Sequence, residues 1–235
     1  VENRTITLEG HQDRVWNVTF SADGRQLATT SWDNTIRLWT SSGTLLTTLE
    51  GHDAGTWGVD FSPDGNVLVS SSDDTTVRLW RLDQIPQTLH GYEGPVTGLA
   101  LNQQTVAAGS WDNTIRLWNW QGNLQSVLQD HTDRVRQVAF SPDGQSLASA
   151  SWDRTVKLWR PEGTLLQTFK GHRDRVWGVA FGPEGREIAS ASWDQTIKIW
   201  HPDGRLLQTL RGHRDRVYGL AYSPDGEYLV SGGWG

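Results

Sequence analysis

The chain has 235 residues, a formal net charge of −6 and no cysteine. The lack of cysteine excludes a disulfide framework, thiol chemistry and a thiolate metal site, and the negative charge disfavours a general nucleic-acid binder. No apolar run reaches membrane-spanning length, and the first residues do not resemble a signal peptide. We therefore expect a cytoplasmic protein without membrane contact, with a length that suits a single domain over residues 1–235.

The first elements are predicted to be short strands joined by turns. Polar and apolar residues alternate over residues 4–8, which predicts a first strand, and residues 15–20, 26–30 and 35–39 are predicted to be the next three strands. A turn at residues 21–24 separates the second strand from the third. Later copies of this turn contain Pro-Asp-Gly, at residues 63–65, 142–144 and 224–226. Proline presets φ, aspartate hydrogen-bonds locally and glycine accepts a positive φ. No segment has a helical period, so the chain is predicted to be all-β.

The same pattern returns about every 40 residues. Each copy begins with Gly-His or a near equivalent, at residues 10–11, 51–52, 91–92, 130–131, 171–172 and 212–213. Ser-x-Asp follows, at residues 31–33, 72–74, 110–112, 151–153 and 192–194. An apolar residue and a Trp close the copy, at residues 38–39, 79–80, 117–118, 158–159 and 199–200. Such a period indicates one supersecondary unit copied and stacked, because a single copy cannot bury its own apolar face.

These motifs at this spacing resemble those of the WD-repeat β-propeller family, and the resemblance covers nearly the whole chain. The high similarity among the copies is similar to that of bacterial-type WD-repeat chains. The resemblance implies four-stranded antiparallel blades arranged about a channel, with each sequence repeat straddling two blades. Six repeats are expected, the last one incomplete, over residues 10–50, 51–90, 91–129, 130–170, 171–211 and 212–235. Residues 4–8 are then expected to be an outer strand that serves ring closure.

The resemblance also implies a structural role for residues that would otherwise suggest catalysis. In such blades a His, a Ser or Thr, an Asp and the closing Trp form a buried, hydrogen-bonded tetrad. The matching sets are His11, Ser31, Asp33 and Trp39; His52, Ser72, Asp74 and Trp80; His131, Ser151, Asp153 and Trp159; and His172, Ser192, Asp194 and Trp200. Four near-identical sets fit a satisfied core network better than hydrolase triads or one metal centre. The third repeat has Tyr92 instead of His, so its blade is expected to lack the full tetrad.

Aromatic and arginine side chains form the predicted binding site. The resemblance places the Gly-His loop and the Ser-x-Asp turn on one face of a propeller, usually called the top. The aromatic residues of these segments are Trp16, Trp32, Trp57, Trp111, Trp152, Trp177, Trp193 and Tyr218, and the neighbouring arginines are Arg14, Arg134, Arg136, Arg175 and Arg216. Trp with Arg is the composition of interface hot spots and stacks cations and planar groups. A large exposed aromatic patch is costly without a use, which favours binding.

A structural interpretation of the same residues stays open. The sequence Ser-Trp-Asp-Asn-Thr-Ile-Arg-Leu-Trp occurs unchanged at 31–39 and 110–118, so duplication alone can explain the shared Trp, with Arg packed against neighbouring blades. Four of the arginines also follow an aspartate, at positions 13, 133, 174 and 215, and local pairing would neutralise much of their charge. Arg173 and Arg214 make the last repeats basic, which favours an acidic peptide or a phosphate group as ligand. The alternative is a solvated rim.

The last repeat stops where another Ser-x-Asp would stand. Gly233 takes the place of Ser, Gly235 takes the place of Asp, and no closing strand follows. The incomplete blade leaves an open edge that favours pairing with another chain. We expect a piece of a longer protein, such as a larger propeller, or else a six-blade unit that self-associates through this last blade.

The leading functional hypothesis is a non-enzymatic protein–protein interaction scaffold, or the recognition domain of a signalling, regulatory or assembly protein. It would bind a protein or peptide, in particular an acidic one, on the top face. The alternative is nucleic-acid or nucleotide recognition by the same Trp and Arg residues, which stacking favours and the net charge opposes. An enzyme ranks last, because no unique nucleophile, carboxylate pair, phosphate-binding loop or metal-ligand cluster stands apart from the repeats. No cofactor, metal or catalytic residue is predicted.

Overall fold

A computed structural model describes residues 5–81 and 84–234. The elements in these ranges are all β-strands, as predicted, and they form five four-stranded antiparallel sheets and one two-stranded sheet. Each sheet is a blade, numbered in chain order. No helix in these ranges is long and apolar enough to cross a membrane. The chain divides into two compact units, residues 1–96 and 97–235, and the single domain over 1–235 stays a prediction.

Blades 1 and 2 lie in the first unit. Their strands are β1 (Val15–Phe20), β2 (Gln26–Ser31), β3 (Ile36–Thr40) and β4 (Leu45–Leu49), then β5 (Thr56–Phe61), β6 (Leu68–Ser72), β7 (Val77–Trp80) and β8 (Gln87–Leu89). Neighbours in the chain are neighbours in each sheet. Each blade is therefore an antiparallel meander.

Blades 3 to 6 follow. Their strands are β9 (Val96–Leu101), β10 (Thr105–Ser110), β11 (Thr114–Asn119), β12 (Leu124–Gln129), β13 (Val135–Phe140), β14 (Leu147–Ser151), β15 (Thr155–Trp159), β16 (Leu165–Lys170), β17 (Val176–Phe181), β18 (Ile188–Ser192), β19 (Thr196–Trp200), β20 (Leu206–Arg211), β21 (Val217–Tyr222) and β22 (Leu229–Gly233). Up to residue 234, where the described part of the chain stops, blade 6 consists of β21 and β22. The expectation that the last repeat is incomplete is confirmed.

The turn chemistry of the sequence explains where the inner strands end. Gly24 donates its main-chain N–H to the carbonyl of Ser21 at 2.8 Å and has a φ of 68°, a region that glycine enters without steric cost. The Asp23 carboxylate accepts hydrogen bonds from the Ser21 hydroxyl and the Arg25 N–H, at 2.7 and 3.0 Å. The strands predicted before and after this turn are confirmed as β1 and β2.

The strand predicted at residues 4–8 is wrong over its described part. Residues 5–8 are not a strand, and Arg4 lies outside the described residues. The side chain of Ile6 lies close to the turn at Gly43, where an added Cβ would come within 2.6 Å of it. An extended segment becomes a β-strand only when a neighbouring strand supplies hydrogen bonds, and no described strand pairs with this one.

The hydrophobic core lies between consecutive blades. In the first unit, Val59 and Phe61 of blade 2 pack in one cluster with Ala28, Ile36 and Leu38 of blade 1. Equivalent clusters join blades 3 and 4, 4 and 5, and 5 and 6. We call the surface that contacts the preceding blade the front face, and the surface that contacts the following blade the back face. Each buried Val, Leu or Phe side chain contributes roughly 1.5–3 kcal/mol, so these junctions are a principal source of stability.

Candidate functional site

A hydrogen-bonded tetrad is buried in four of the blades. In blade 4 the indole Nε1 of Trp159 donates to the Ser149 hydroxyl at 2.8 Å. Ser149 Oγ lies 2.7 Å from His131 Nε2, and His131 Nδ1 lies 2.6 Å from Asp153 Oδ2. The same chain of contacts links Trp39, Thr29, His11 and Asp33; Trp80, Ser70, His52 and Asp74; and Trp200, Ser190, His172 and Asp194. The expected tetrads are present in these blades, with one member changed.

The hydroxyl residue predicted for each tetrad is wrong. It is not the serine of Ser-x-Asp, namely Ser31, Ser72, Ser151 or Ser192, but the hydroxyl residue two positions earlier. Ser151 ends its strand, where its Oγ donates to the Asp133 carbonyl at 2.8 Å and accepts the Asp153 N–H at 3.0 Å. Ser151 therefore stabilises the turn, whereas Ser149 lies within hydrogen-bonding distance of the Trp159 indole and the His131 imidazole.

One arrangement of protons satisfies every member of the blade 4 tetrad. Trp159 donates to Ser149, Ser149 donates to His131 Nε2, and His131 Nδ1–H donates to Asp153, which requires a neutral imidazole and an ionised carboxylate. Burial lowers the pKa of His131, and Asp153 offsets that effect only in part. Burial disfavours the ionised Asp153, but hydrogen bonds from His131 and Thr155 outweigh it and hold the pKa of this carboxyl well below its usual range. The tetrad is thus a satisfied structural network.

Blade 3 departs from this network at a second position. The residue equivalent to Ser149 is Ala108, which has no hydroxyl. Asp112 Oδ2 accepts a charge-assisted hydrogen bond from Arg116 Nη1 at 3.0 Å. Blade 3 therefore lacks the residues for a full tetrad, as expected, because it has Tyr92 and Ala108 in place of a histidine and a hydroxyl residue. The Oδ2 atom of Asp112 binds Arg116, whereas the equivalent atom of Asp153 in blade 4 binds His131.

Main-chain hydrogen bonds bring four of the tryptophans beside an arginine. Trp152 donates its main-chain N–H to the Arg134 carbonyl at 3.0 Å, and Trp193 does the same to Arg175 at 3.0 Å. The pairs Trp32 with Arg14 and Trp234 with Arg216 repeat the contact at 3.0 and 3.1 Å. The blade's own hydrogen bonds therefore position the Trp and Arg side chains together.

In the second unit the guanidinium groups lie between tryptophans of consecutive blades. Arg134 Cζ is 4.0 Å from the ring centroid of Trp111 and 4.7 Å from that of Trp152. Arg175 Cζ is 4.2 Å from Trp152 and 4.9 Å from Trp193. These distances are those of cation–π contacts. The series confirms the packing of arginine against neighbouring blades that the structural interpretation expects.

Two more aromatic residues extend this series. Trp177 stacks on Trp193 with centroids 5.2 Å apart, and Tyr218 meets Trp177 edge-on at 5.0 Å. Arg216 lies 4.2 Å from the Trp193 centroid. We define the Trp/Arg surface as Trp111, Trp152, Trp177, Trp193, Tyr218, Arg134, Arg175 and Arg216. All eight residues are partly or largely exposed.

The first unit contains a smaller group of the same kind. Trp16 and Trp32 stack with centroids 5.6 Å apart, and Trp57 meets Trp16 edge-on at 4.5 Å. Arg14 Cζ lies 5.3 Å from the Trp32 centroid. Trp16 and Arg14 are exposed, and Trp32 is half-buried.

Two of the predicted site residues are buried. Trp57 is buried and donates its indole N–H to Asp73 Oδ1 at 2.5 Å. Arg136 is also buried and lies 4.6 Å from the Trp177 centroid. Both residues support the surrounding rings from below the surface.

The aspartates before the arginines do not pair with the guanidinium groups. The Asp133 carboxylate accepts the main-chain N–H of Arg134 at 2.8 Å, and Asp174 accepts that of Arg175 at 2.7 Å. Asp13 and Asp215 do the same for Arg14 and Arg216. None of the ion pairs among residues 5–81 and 84–234 involves these four arginines. The local charge pairing that the structural interpretation expects is therefore wrong.

Sequence reasoning missed one feature of these sites, the identity of the tetrad hydroxyl. The tetrad hydroxyl stands ten residues before each closing Trp, a spacing visible in the sequence. Trp234 is exposed and lies 6.4 Å from Tyr218, at the end of the aromatic series. Its main-chain contact with Arg216 marks it as the equivalent of Trp193.

The blades, tetrads and repeated turns define a class of protein, the WD-repeat proteins. The sequence profile of the family described as "WD domain, G-beta repeat" matches residues 2–40, 43–81, 84–119, 122–160, 163–201 and 204–235. These matches cover nearly all of the chain. The chain belongs to the WD-repeat family.

Several named proteins are similar to parts of the chain. Periodic tryptophan protein 2 of Arabidopsis thaliana is 32% identical over 150 residues, which is 60% of this chain and 16% of that protein. Small ribosomal subunit protein RACK1y of Oryza sativa subsp. japonica is 46% identical over 151 residues, 58% of this chain and 45% of that protein. The guanine nucleotide-binding protein subunit beta of Schizosaccharomyces pombe is 48% identical over 44 residues, 18% of this chain and 14% of that protein. The chain spans less than half the length of each of these relatives.

Proposed function

We propose that this chain is a non-enzymatic protein-interaction scaffold that binds an acidic segment of a partner protein on its Trp/Arg surface. Membership of the WD-repeat family supports the general role. One of the similar proteins is named as a protein of the small ribosomal subunit, and another is named as the beta subunit of a guanine nucleotide-binding protein. The cytoplasm stays the expected compartment.

The observation that supports the proposal most directly is how Arg134 and Arg175 are packed and which groups their neighbouring aspartates bind. Arg134 and Arg175 are stacked on tryptophan, and their preceding aspartates are occupied by main-chain N–H groups. Stacking uses the face of a planar guanidinium, whereas its N–H donors lie in the plane and match a carboxylate in bidentate geometry. A stacked arginine also loses little side-chain entropy on binding, because the tryptophans already hold it in place. The surface therefore suits Asp or Glu side chains of a partner.

The same geometry weakens the alternative of nucleic-acid recognition. A base binds such a surface by stacking on an open aromatic face, but guanidinium groups lie against Trp152 and Trp193 on the sides that face their neighbours. The net charge of −6 also opposes a polyanion. The test must therefore distinguish the binding of nucleic acid from the binding of an acidic peptide.

The test is binding of the whole chain to fluorescent peptides of equal length that are acidic, neutral or basic, with single-stranded DNA as a further probe. The expected result is binding of acidic peptides, weakened more than roughly tenfold by Arg175→Ala or Trp193→Ala, since such anchors are worth 2 kcal/mol or more at interfaces. Circular dichroism and thermal unfolding confirm that each variant is folded.

Arg186→Ala is the matched control. Arg186 is exposed and pairs with Glu184 outside the Trp/Arg surface, so its removal should leave peptide binding unchanged. Equal loss in both arginine variants would indicate nonspecific attraction, and no loss in either would contradict the proposed surface. Tighter binding of DNA than of the acidic peptides would favour the alternative.

A further inference from the structure

A buried lysine of blade 4 is paired with the aspartate that precedes the tetrad histidine. Lys157 of β15 is 6% exposed, and its Nζ contacts Asp130 Oδ2 and lies 3.3 Å from the Thr168 hydroxyl. Asp130 stands directly before His131 in the chain and is exposed. A buried ammonium group is costly unless a group of opposite charge pairs with it. Asp130 therefore supplies the charge that Lys157 needs.

Blade 5 has the same lysine but lacks the aspartate. Lys198 of β19 is 8% exposed, and its Nζ donates to the Thr209 hydroxyl at 3.0 Å, which repeats the lysine–threonine contact of blade 4. The residue before the tetrad histidine is Gly171. None of the ion pairs among residues 5–81 and 84–234 involves Lys198. Blade 5 therefore supplies no counter-charge at the position where blade 4 has an aspartate.

The tetrad carboxylate of blade 5, that of Asp194, binds other donors. Its Oδ2 accepts the Arg173 main-chain N–H at 2.9 Å and lies 2.9 Å from His172 Nδ1. Its Oδ1 accepts the Thr196 N–H at 3.0 Å and the Thr196 hydroxyl at 2.6 Å. The turn and the tetrad thus use this carboxylate, and it does not pair with Lys198.

In the first unit an arginine fills the equivalent space. Arg37 and Arg78 stand where blades 4 and 5 have their lysines, and they lie beside Gly10 and Gly51. A Cβ added to Gly10 would overlap Arg37 Nη1, and a Cβ added to Gly51 would lie 2.8 Å from Arg78 Nη1. The long guanidinium side chain therefore takes up the room beside each glycine.

The space beside Gly171 is open and accessible. A Cβ added to Gly171 would lie 3.9 Å from Lys198 Cε, which is an ordinary van der Waals distance, and 3.2 Å from Trp200 Cη2. Gly171 is exposed, whereas Lys198 and Trp200 are buried on the front face of blade 5. The neighbouring Lys170 is exposed and adds positive charge. A ligand therefore reaches Lys198 from the side of the glycine, in positive surroundings.

The geometry points to a carboxylate-binding site beside Gly171, in which the carboxylate of a ligand pairs with Lys198 as that of Asp130 pairs with Lys157. The carbon that bears the carboxylate takes the place of an aspartate Cβ. Because it is not bonded to the main chain, this carbon settles slightly farther from the Trp200 ring. A small carboxylic acid and an Asp or Glu side chain of another protein share the required group. None of the residues of this site belongs to the Trp/Arg surface.

The three lysines of the chain, Lys157, Lys170 and Lys198, allow a direct test. With isotope-labelled ε carbons each gives its own NMR signal, assigned by replacing one lysine at a time with arginine. Acetate is titrated into the whole chain at constant ionic strength, in exchange for chloride. We expect the Lys198 signal to reach half of its shift at a roughly tenfold lower acetate concentration than the Lys170 signal, because charge-assisted hydrogen bonds are stronger in a buried site than in water. The Lys157 signal should stay in place, since Asp130 pairs with this lysine.

A substitution in blade 4 should create a second site of the same kind. Asp130→Gly gives blade 4 the glycine and lysine of blade 5, so the Lys157 signal should then respond to acetate as the Lys198 signal does. Glu162→Gly removes an exposed carboxylate from the turn after β15 and is the matched control, which should leave the Lys157 signal unresponsive. Circular dichroism checks that both variants are folded.

The titration also distinguishes two sources of the carboxylate. A Lys198 shift at lower concentrations of an acidic peptide than of acetate assigns the carboxylate to a protein side chain, and the reverse order assigns it to a free acid. A Lys198 signal that follows the Lys170 signal throughout both titrations would overturn the proposal. A saturating response to phosphate without a response to acetate would overturn a carboxylate as the ligand.

Discussion

At the scale of single residues, each tetrad hydroxyl is the link that satisfies two buried rings. Ser149 accepts from Trp159 Nε1 and contacts His131 Nε2, and both rings are buried. Ser149→Ala leaves both nitrogens without a partner, and each unsatisfied buried polar group costs about 1–3 kcal/mol. We expect the free energy of unfolding to fall by about 2–4 kcal/mol, measured by urea denaturation.

The control for this substitution is Ser126→Ala on the outer strand β12. Ser126 is half-buried outside the tetrad, so the loss of its hydroxyl should change the free energy of unfolding by less than about 0.5 kcal/mol. Equal effects of the two substitutions would show that the hydrogen-bond chain contributes nothing beyond the loss of a hydroxyl.

The charge states of His131 and Asp153 predict that acid destabilises the fold in two steps. The pKa of His131 is lowered from 6.5, so below pH 6.5 the unfolded chain binds a proton that the folded chain refuses, and stability falls. The pKa of Asp153 is lowered from 3.8, so its contribution is present above pH 3.8 and is lost as the pH falls further. Asp33, Asp74 and Asp194 add to the second step, because their carboxyl pKa values are also held low.

Urea midpoints between pH 8 and pH 4 measure the first step. His131→Gln removes the titrating ring and should give a shallower fall in stability below pH 6.5 than the parent. His201→Gln, in the turn after β19, controls for the loss of one histidine elsewhere. Identical slopes for the parent and His131→Gln would rule out His131 as a source of the acid sensitivity.

At the scale of elements, the turn after each Ser-x-Asp requires a left-handed residue. Asn34, Thr75, Asn113, Arg154 and Gln195 all have a φ between 68° and 71°. Asparagine tolerates this conformation, whereas a β-branched residue such as Thr75 adopts it only at a steric cost. Thr75→Asn is expected to raise the free energy of unfolding by about 1 kcal/mol, and the reciprocal Asn34→Thr to lower it by a similar amount. Thermal unfolding of both variants measures the effect, and shifts of the same sign would contradict it.

The strands were predictable where the turns between them are local. Ser21 to Gly24 closes by its own hydrogen bonds, so its four residues are enough to place the ends of β1 and β2. Residues 5–8 have the same alternating pattern as a strand, but their state depends on a partner strand far away in the sequence. Alternation indicates which segments are able to form strands, not which of them are paired.

At the scale of the whole molecule, the binding of an acidic peptide should weaken as the salt concentration rises. The proposed binding depends on the charges of Arg134, Arg175 and Arg216, which are screened between about 0.1 M and about 1 M salt. We expect the peptide affinity to fall across this range, measured by fluorescence anisotropy. An affinity that stays constant would contradict binding through these arginines.

The sequence by itself determined the repeat, the all-β class, the turn positions and the family, because each of these depends on residues close together in the chain and copied along it. The tertiary structure decided which hydroxyl joins the tetrad, since Ser149 and Ser151 look alike until the positions of His131 and Trp159 are known. It also decided that the aspartate before each arginine binds a main-chain N–H rather than the guanidinium. Burial and contact depend on which distant segments meet, and no local pattern records that.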